Sequence, residues 1–493
     1  MAQVSTHSVV VIGAGVLGCA VARELSHLDT DVLVLERAHD VGEGSSKANS
    51  GVVHAGFHPR GGSLKGTSCV EGNALFDKLT TELDIPFRRI GALMVAFERS
   101  GIDKLEEKRA RAALNGAGTL PIVSGDEARA LEPRLSPGVI SAMLAPSTGI
   151  VSPFELVLAL AQNAQANGVS FRFGANVVSI SRLPADDPEG PRWSLSLDDG
   201  TTVQTRFVVN AAGDQAELLD SFVHPQDYVV RPRAGDFVVF DKQVPKTAIR
   251  HVIYQAGEHD EGGVLLAPTV SGNLLAGPTS RNVRSFSDTG ASPEGFAHVL
   301  SVARHLIPSL DTRRVITGFA GVRTNITNVS KEIKDFIVRT SAPGFVSALG
   351  IKNPGLTASP ALAKRAVALL REEGLVARER TGWLPQRTRY VPFLSRSEEE
   401  QARLAREDPS FDHVICRCEL VTEGDVRAVM RGPLPPSTIA GMRRRLRCGM
   451  GRCQGGFCLP RVLAIMADEL GVPAEQVPWG EGGASLSSRK VKR

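Results

Sequence analysis

An apolar run, Ser8 to Ile12, leads directly into Gly13-Ala14-Gly15-Val16-Leu17-Gly18, and an alternating segment, Cys19 to Leu28, follows without a break. Few local patterns limit a fold more, because each glycine answers a separate steric demand. Gly13 makes the tight turn out of a strand, Gly15 lets backbone approach a pyrophosphate, and Gly18 lets the following helix pack closely on that strand. The helix start offers unpaired N–H groups and a positive dipole end to phosphate oxygens. A second strand, Val32 to Leu35, ends at Glu36, eighteen residues beyond Gly18. A carboxylate there accepts hydrogen bonds from ribose hydroxyls and disfavours a 2′-phosphate, so the pattern selects a dinucleotide other than NADP. It does not choose between FAD and NAD. No second strand-led glycine fingerprint occurs, which excludes a separate NADH domain.

The other feature with chemical content lies far downstream. Cys416 and Cys418 come as C-x-C, and Cys453 and Cys458 as C-x4-C. Seven cysteines are an odd number, and five of them fall between 416 and 458, which fits metal ligation better than a disulfide framework. Gly449, Gly451, Gly455 and Gly456 permit loops that fold around a metal centre. An iron–sulfur cluster explains four such thiolates beside a dinucleotide domain, and structural zinc is the rival reading.

Composition narrows the field. The chain has 493 residues, room for two or three domains, and a net charge of only +4 from 57 basic and 53 acidic residues. That balance, without a basic arm carrying interleaved aromatics, argues against nucleic acid and suits an anionic substrate. No charged n-region with an apolar h-region opens the chain, and no apolar run of about 18 residues occurs, so a cytoplasmic protein without a transmembrane segment is expected. This leaves room for peripheral membrane association.

The segment SSKANSGVVHAGFHPRGGSLKGTSCVEGN, Ser45 to Asn73, is followed at a distance by TGIVSP (148–153), FVVNAAG (207–213), LLAPTVSGNLLAGPT (265–279), GFAGVRTN (318–325) and GIKNPGLTASPALAK (350–364). Together these resemble the flavoprotein superfamily of D-amino-acid oxidase. Within it the chain looks most like L-2-hydroxyglutarate dehydrogenases and FAD-dependent glycerol-3-phosphate dehydrogenases. The resemblance implies an α/β protein with a Rossmann-like FAD-binding domain over 1–85, 145–215 and 315–375, and an antiparallel-sheet substrate domain over 86–144 and 216–314. It implies FAD contacts from Gly13, Gly15, Gly18, Glu36, Arg37, Ser45, Asn49, Ser50, Gly51, Ala212, Gly213, Gly350, Pro354, Gly355, Leu356 and Thr357. Residues 376–410, rich in Arg and Glu with Pro385 and Pro392 as breakers, read as a linker, and 481–493 as a flexible tail.

The stretch 411–480, through MRRRLRCGMGRCQGGFC, resembles the bacterioferritin-associated-ferredoxin-like [2Fe-2S] module, a small helical and loop domain. The resemblance makes Cys416, Cys418, Cys453 and Cys458 the ligands. Cys448 departs from the module and reads as a spectator or a replacement ligand. The arginines at 443, 444, 445 and 447 read as a solvated basic helix face, with partner docking as the rarer alternative.

Removing hydride from a carbon that bears a hydroxyl requires a base for the hydroxyl proton and cations for the substrate's acid group. His54, in NSGVVHAG, is the expected base, since imidazole titrates near neutrality; a covalent bond from it to flavin stays open. Arg323 occupies the superfamily's carboxylate-binding arginine position, where a planar fork suits an oxyanion. Lys352 stands where relatives usually carry an acidic residue and adds a cation, and Arg60 and Lys65 are weaker candidates. Several cations favour a dianion. The expected substrate is sn-glycerol 3-phosphate, with L-2-hydroxyglutarate as runner-up. Electrons would leave through the cluster to an acceptor protein or quinone-linked subunit. A non-catalytic electron-transfer subunit is the reading from another class.

Overall fold

The computed structural model describes residues 4–184, 189–225, 228–242, 248–257, 263–328, 332–333, 335–480 and 483–486. Of the expected tail, 481–482 and 487–493 lie outside the described residues.

The first strand, Val4–Ile12, is flanked by parallel partners Val32–Glu36 and Thr202–Asn210, with Ser170–Phe173 beyond the first and Phe345–Leu349 beyond the second. Val9, Val10, Val11, Val34 and Leu35 are fully covered, as expected of a parallel sheet with both faces packed. Helices Val16–Ser26, Pro153–Ala166 and Gly355–Glu372 pack together on it. The glycine pattern behaves as its steric logic demands. Gly13 has φ +98°, and a Cβ on it would lie 2.7 Å from the Ala211 carbonyl oxygen. A Cβ on Gly18 would collide with the Gly13 carbonyl oxygen, so the helix can approach its strand only through glycine.

The second sheet has ten strands and is mostly antiparallel. Its spine is the pairing of Tyr228–Phe240 with Val315–Asn328 along their length, from Tyr228 opposite Asn328 to Phe240 opposite Val315. Val315–Asn328 therefore lies in this sheet and not in the flavin sheet, a difference from the sequence-based boundary at 315 that long-range pairing alone decides. The segment 86–144 contributes Ala92–Ala96, Ile122–Ser124 and Ser141–Ala145, and Ala92–Ala96 runs parallel to Val252–Gln255. Strand alternation then sorts the faces. Val238, Ile253 and Leu266 cluster with helix Pro293–Leu306, while Tyr254 and Leu265 cluster with Val52, Ala55 and Phe57.

The C-terminal unit has its own core. Ile415, Val421, Val426, Ile439, Met442, Val462 and Met466 gather a hairpin, Val414–Cys416 with Val421–Thr422, and helices Glu423–Met430, Ile439–Leu446 and Leu459–Leu470. Two features differ from the sequence reading. The stretch read as a linker is a fastened strap: Trp383 stacks on His27 with centroids 3.7 Å apart, and Arg387 bonds Glu155 at 2.7 Å and the Leu83 carbonyl at 3.2 Å. The basic run is neither a solvated face nor free for an external partner. Arg445 forks onto both Asp40 oxygens at 2.6 and 2.9 Å, and Arg444 bridges Asp40, at 2.9 Å, and Glu43. Arg447 reaches Glu419 and Asn273, and Arg443 lies over the Trp479 ring. Among the described residues no helix is long and apolar enough to cross a membrane.

Candidate active site and metal centre

A cavity of about 390 Å³ opens between the two large sheets. It runs from Val16, at the start of the first helix, past the Ser45–Asn49 turn, to Tyr254 on the second sheet. The turn is braced from within. Ser46 Oγ accepts the Val16 N–H at 2.9 Å, Ser45 Oγ donates to the Val322 carbonyl at 2.7 Å, and the Asn49 amide donates to the Ser46 carbonyl and accepts from the Gly51 N–H. At the far end of the fingerprint the Glu36 carboxylate accepts the Ala14 and Ala38 N–H groups at 2.6 and 2.9 Å, which ties the second strand to the glycine turn.

Four cations line this cavity, Lys65, Arg233, Arg323 and Lys352, and its described lining contains no Asp or Glu. Arg233 and Arg323 stand directly opposite each other on adjacent antiparallel strands. Like charges in that position destabilise a sheet unless an anion lies between them. Arg323 donates to the Thr279 carbonyl at 2.9 Å and to Ser280 Oγ at 3.3 Å, and its guanidinium occupies space that a Cβ on Gly235 would fill. The Arg233 Nε is buried without a hydrogen-bond partner. Lys352 is buried and donates to Asn325 Oδ1 at 2.8 Å, and buried Lys65 lies 5.8 Å from the Phe336 ring centroid. Four cations without a carboxylate in the described lining give the cavity a positive potential that suits an anion.

His54 sits on the opposite wall. Its backbone N–H donates to Thr357 Oγ1 at 3.0 Å, its carbonyl accepts from the Asn73 amide at 2.9 Å, and Nδ1 is 3.2 Å from the Tyr254 hydroxyl. Burial drives its pKa down to about 4; the Asn353 hydrogen bond opposes this and the Lys65 charge reinforces it. The ring is therefore neutral near pH 7 and able to take up a proton. Burial, assisted by His54, Lys108 and Lys65, lowers the neighbouring His58 in the same direction. Tyr254 is pushed up by burial and stays protonated.

The fold thus gathers Ser45, Asn49, Ser50, His54, Lys65, Arg323, Lys352, Pro354, Gly355 and Leu356 around one cavity. Thr357 supports His54 from behind, and Gly350, with φ +64°, precedes the turn into helix Gly355–Glu372. Gly213, with φ +60°, and Ala212 end the strand beside Gly13, while Arg37 pairs with Asp214 at 3.0 Å next to them. Arg60 is exposed and does not line the cavity. Arg233, His58, Tyr254 and Asn353 were not anticipated. His58 lies four residues from His54 in the quoted segment and was within reach; Arg233 and Tyr254 needed the strand register.

In the C-terminal unit Cys418 and Cys453 have sulfurs 3.7 Å apart, and the free thiols of Cys416 and Cys458 are in hydrogen-bond contact. Two thiols per iron is what a binuclear cluster needs. Burial raises Cys453, yet the Gly455, Phe457 and Gly456 N–H groups and Cys418 outweigh it and hold its pKa down. Cys448 is fully buried, and burial with Cys458 and Cys416 nearby raises its pKa.

A dinucleotide-binding sheet joined to a cation-lined cavity, with a four-thiol domain docked beside it, defines a flavin-dependent oxidoreductase with an iron–sulfur domain. Residues 8–369 match the FAD dependent oxidoreductase (DAO) family, and residues 414–468 the BFD-like [2Fe-2S] binding domain. The chain belongs to the FAD dependent oxidoreductase family, and its cofactors are FAD and a [2Fe-2S] cluster. It is 35% identical over 486 residues to the glycerol 3-phosphate dehydrogenase of Caloramator mitchellensis, covering 98% of each chain. It is 28% identical over 397 residues to the mitochondrial L-2-hydroxyglutarate dehydrogenase of Arabidopsis thaliana, covering 72% of this chain and 81% of that one. The dithionite reduced L-alpha-glycerophosphate oxidase of Mycoplasma pneumoniae with FAD bound superposes with a TM-score of 0.71 at 27% identity, covering 78% of this chain and 100% of that chain.

Proposed function

We propose that the chain is a dehydrogenase that oxidises the secondary hydroxyl of sn-glycerol 3-phosphate to the ketone of dihydroxyacetone phosphate and passes the electrons to an external acceptor. The observation that carries this reading is the opposed Arg233–Arg323 pair, joined by Lys65 and Lys352, in a cavity whose described lining has no carboxylate. A phosphate dianion offers three oxygens to two guanidinium forks and an ammonium. L-2-hydroxyglutarate is also a dianion. The choice between them leans on the relative that matches over both the flavin and the cluster portions.

Bound FAD supplies the two-electron acceptor for the C–H bond, and the cluster supplies a one-electron carrier. His54 takes the hydroxyl proton through whichever ring nitrogen is not donating, while Tyr254 and Asn353 fix the ring. Arg233, Arg323 and Lys352 hold the anionic end so that the hydroxyl faces His54. The turn from Ser45 to Gly51, the glycine fingerprint, and residues 350–357 are the FAD contacts in this reading, and Cys416, Cys418, Cys453 and Cys458 are the cluster ligands.

Anaerobic titration of the isolated holoprotein tests it. sn-Glycerol 3-phosphate should bleach the flavin band at about 450 nm. Bleaching by L-2-hydroxyglutarate alone would reassign the substrate, and bleaching by neither would favour an electron-transfer subunit.

A further inference from the structure

The thiols of the cluster domain are not equivalent. Cys416 and Cys458 are each 1% exposed, whereas Cys418 and Cys453 are partly open. Electron transfer slows steeply with distance, so the open pair marks the edge from which an electron can leave. Two large apolar side chains project into water beside it. Phe457, 82% exposed, follows Gly455, at φ +90°, and Gly456 on the loop whose N–H groups face Cys453. Leu420, 54% exposed, lies two residues from Cys418 with φ +55°, a backbone region that leucine rarely adopts. Only 5% of the chain is aromatic, and Phe457 is the most exposed phenylalanine among the described residues.

The exposed charge named here is basic, since Glu419, between Cys418 and Leu420, is covered and paired with Arg447 and Lys242. Arg417, between the two C-x-C thiols, and Arg461, one turn into the helix after Cys458, are exposed and make no ion pair among the described residues. Arg452, nearby on the cysteine loop, is spent on Asp241, and Arg444 and Arg445 on Asp40 and Glu43. The chain's own C-terminal residues are a poor cover for this surface, because Arg489, Lys490, Lys492 and Arg493 repeat its sign. An apolar centre with an arginine rim is the make-up of a protein-binding patch, and the rim calls for an acidic partner.

We propose that Phe457 and Leu420, rimmed by Arg417 and Arg461 over the Cys418–Cys453 edge, dock an acidic one-electron carrier protein. This rests on the reading that electrons leave through a cluster held by these thiols. The alcohol gives up two electrons and two protons, so two oxidised carriers are each reduced by one electron per substrate, and the protons pass to solvent.

The test uses holoprotein loaded with FAD and cluster. Oxidised cytochrome b5 is the acidic probe and cytochrome c the basic one, with binding measured by calorimetry at low and moderate salt. Transfer is followed after reducing the protein with dithionite and removing the excess anaerobically, so the substrate reading plays no part and the protein is the only electron donor. Cytochrome b5 should bind and be reduced, more weakly as salt rises. Phe457→Ala and Arg417→Glu should each weaken binding by about tenfold, with iron content, visible spectrum and substrate bleaching unchanged. Cytochrome b5 failing to bind, binding both variants as well as the wild type, or yielding to cytochrome c would overturn the proposal. So would Phe457-dependent binding to phosphatidylglycerol vesicles in place of either protein. Failure of substrate bleaching with cytochrome b5 binding intact would count only against the substrate reading.

Discussion

Replacing Arg445 with methionine probes how the cluster domain is held against the flavin domain. The Arg445 and Asp40 side chains are 6% and 3% exposed, and their contacts at 2.6 and 2.9 Å cross the domain boundary. Arg445 also donates to the Leu434 carbonyl at 2.7 Å and the Gly441 carbonyl at 3.1 Å, within its own domain. Removing one partner of a buried pair costs about 3–5 kcal/mol, because the other charge is left uncompensated. Asp40 would keep Arg444 and the Val41 N–H, which places the cost near the lower bound, about 3 kcal/mol. At about 1.4 kcal/mol per factor of ten, the docking equilibrium shifts roughly a hundredfold.

The assay is hydrogen exchange at helix Ile439–Leu446, paired with stopped-flow measurement of cluster reduction after the flavin is reduced. Exchange should speed up and cluster reduction slow, while flavin reduction by substrate keeps its rate. The Asp40→Leu/Arg445→Met double variant should recover much of the loss, since an apolar pair of similar volume can replace a buried ion pair at little cost. Unchanged exchange in the single variant, or a double variant as loose as the single, would refute the reasoning. The same contact sets a pH limit. Burial raises the Asp40 carboxyl, but Arg445 and Arg444 outweigh it and leave it below the ordinary range. The stability it contributes is complete above the usual carboxylate value of about 3.9 and fades as pH falls through the lower folded value.

His54→Asn should lower kcat by about 10²–10⁴ with little change in KM, because it removes the proton acceptor and leaves the anion site intact; a tenfold rise in KM with normal kcat would reassign the residue to binding. His54, at about 4 when folded against an ordinary value near 6.5, lets the unfolded chain bind a proton that the folded one refuses. Urea melts of the wild type should therefore lose on the order of 3 kcal/mol between pH 6.5 and pH 4 relative to His54→Asn, and parallel losses in both proteins would contradict this. Arg233→Met should raise KM for the dianion about 10- to 100-fold, the worth of a charged hydrogen bond, yet leave the ligand-free protein as stable or more so; a lower melting temperature would mean that Arg233 already has a partner. Cys448→Ser should keep iron and the visible spectrum, whereas serine at Cys416, Cys418, Cys453 or Cys458 should lose them, and cluster loss from Cys448→Ser would make it a ligand.

What the sequence disclosed divides by the range of the cause. Gly13 and Gly18 act on atoms within a few residues or on the neighbouring strand end, so their pattern announces itself. The thiols come in two short-range pairs, C-x-C and C-x4-C, and His54 and Lys352 sit in segments whose resemblance located them. Arg233 offered no comparable signal. RPRAGDF is an alternating run with arginines on one side, but which side faces the cavity depends on pairing with a strand about ninety residues later. Tyr254 is placed by other long-range pairings, opposite Leu265 and Met94. The basic run was misjudged for a similar reason. Its acidic counterparts, Asp40 and Glu43, lie some four hundred residues earlier, and from the helix alone an arginine-rich face looks solvated.

Arginines that face the interior of this chain meet two fates, and neighbouring carboxylates separate them. Arg444 and Arg445 find Asp40 and Glu43 inside the protein, so their charge holds two domains together and is satisfied without a ligand. Arg233 and Arg323 face each other across a strand pair, with Lys65 and Lys352 nearby and no Asp or Glu in the described lining. Like charges placed directly opposite each other raise the local positive potential, which an anion lowers. A neutral alcohol would not relieve it, and a monoanion would relieve it in part. Two negative charges on one ligand would match both guanidinium groups at once, which is why the proposed substrate is a dianion.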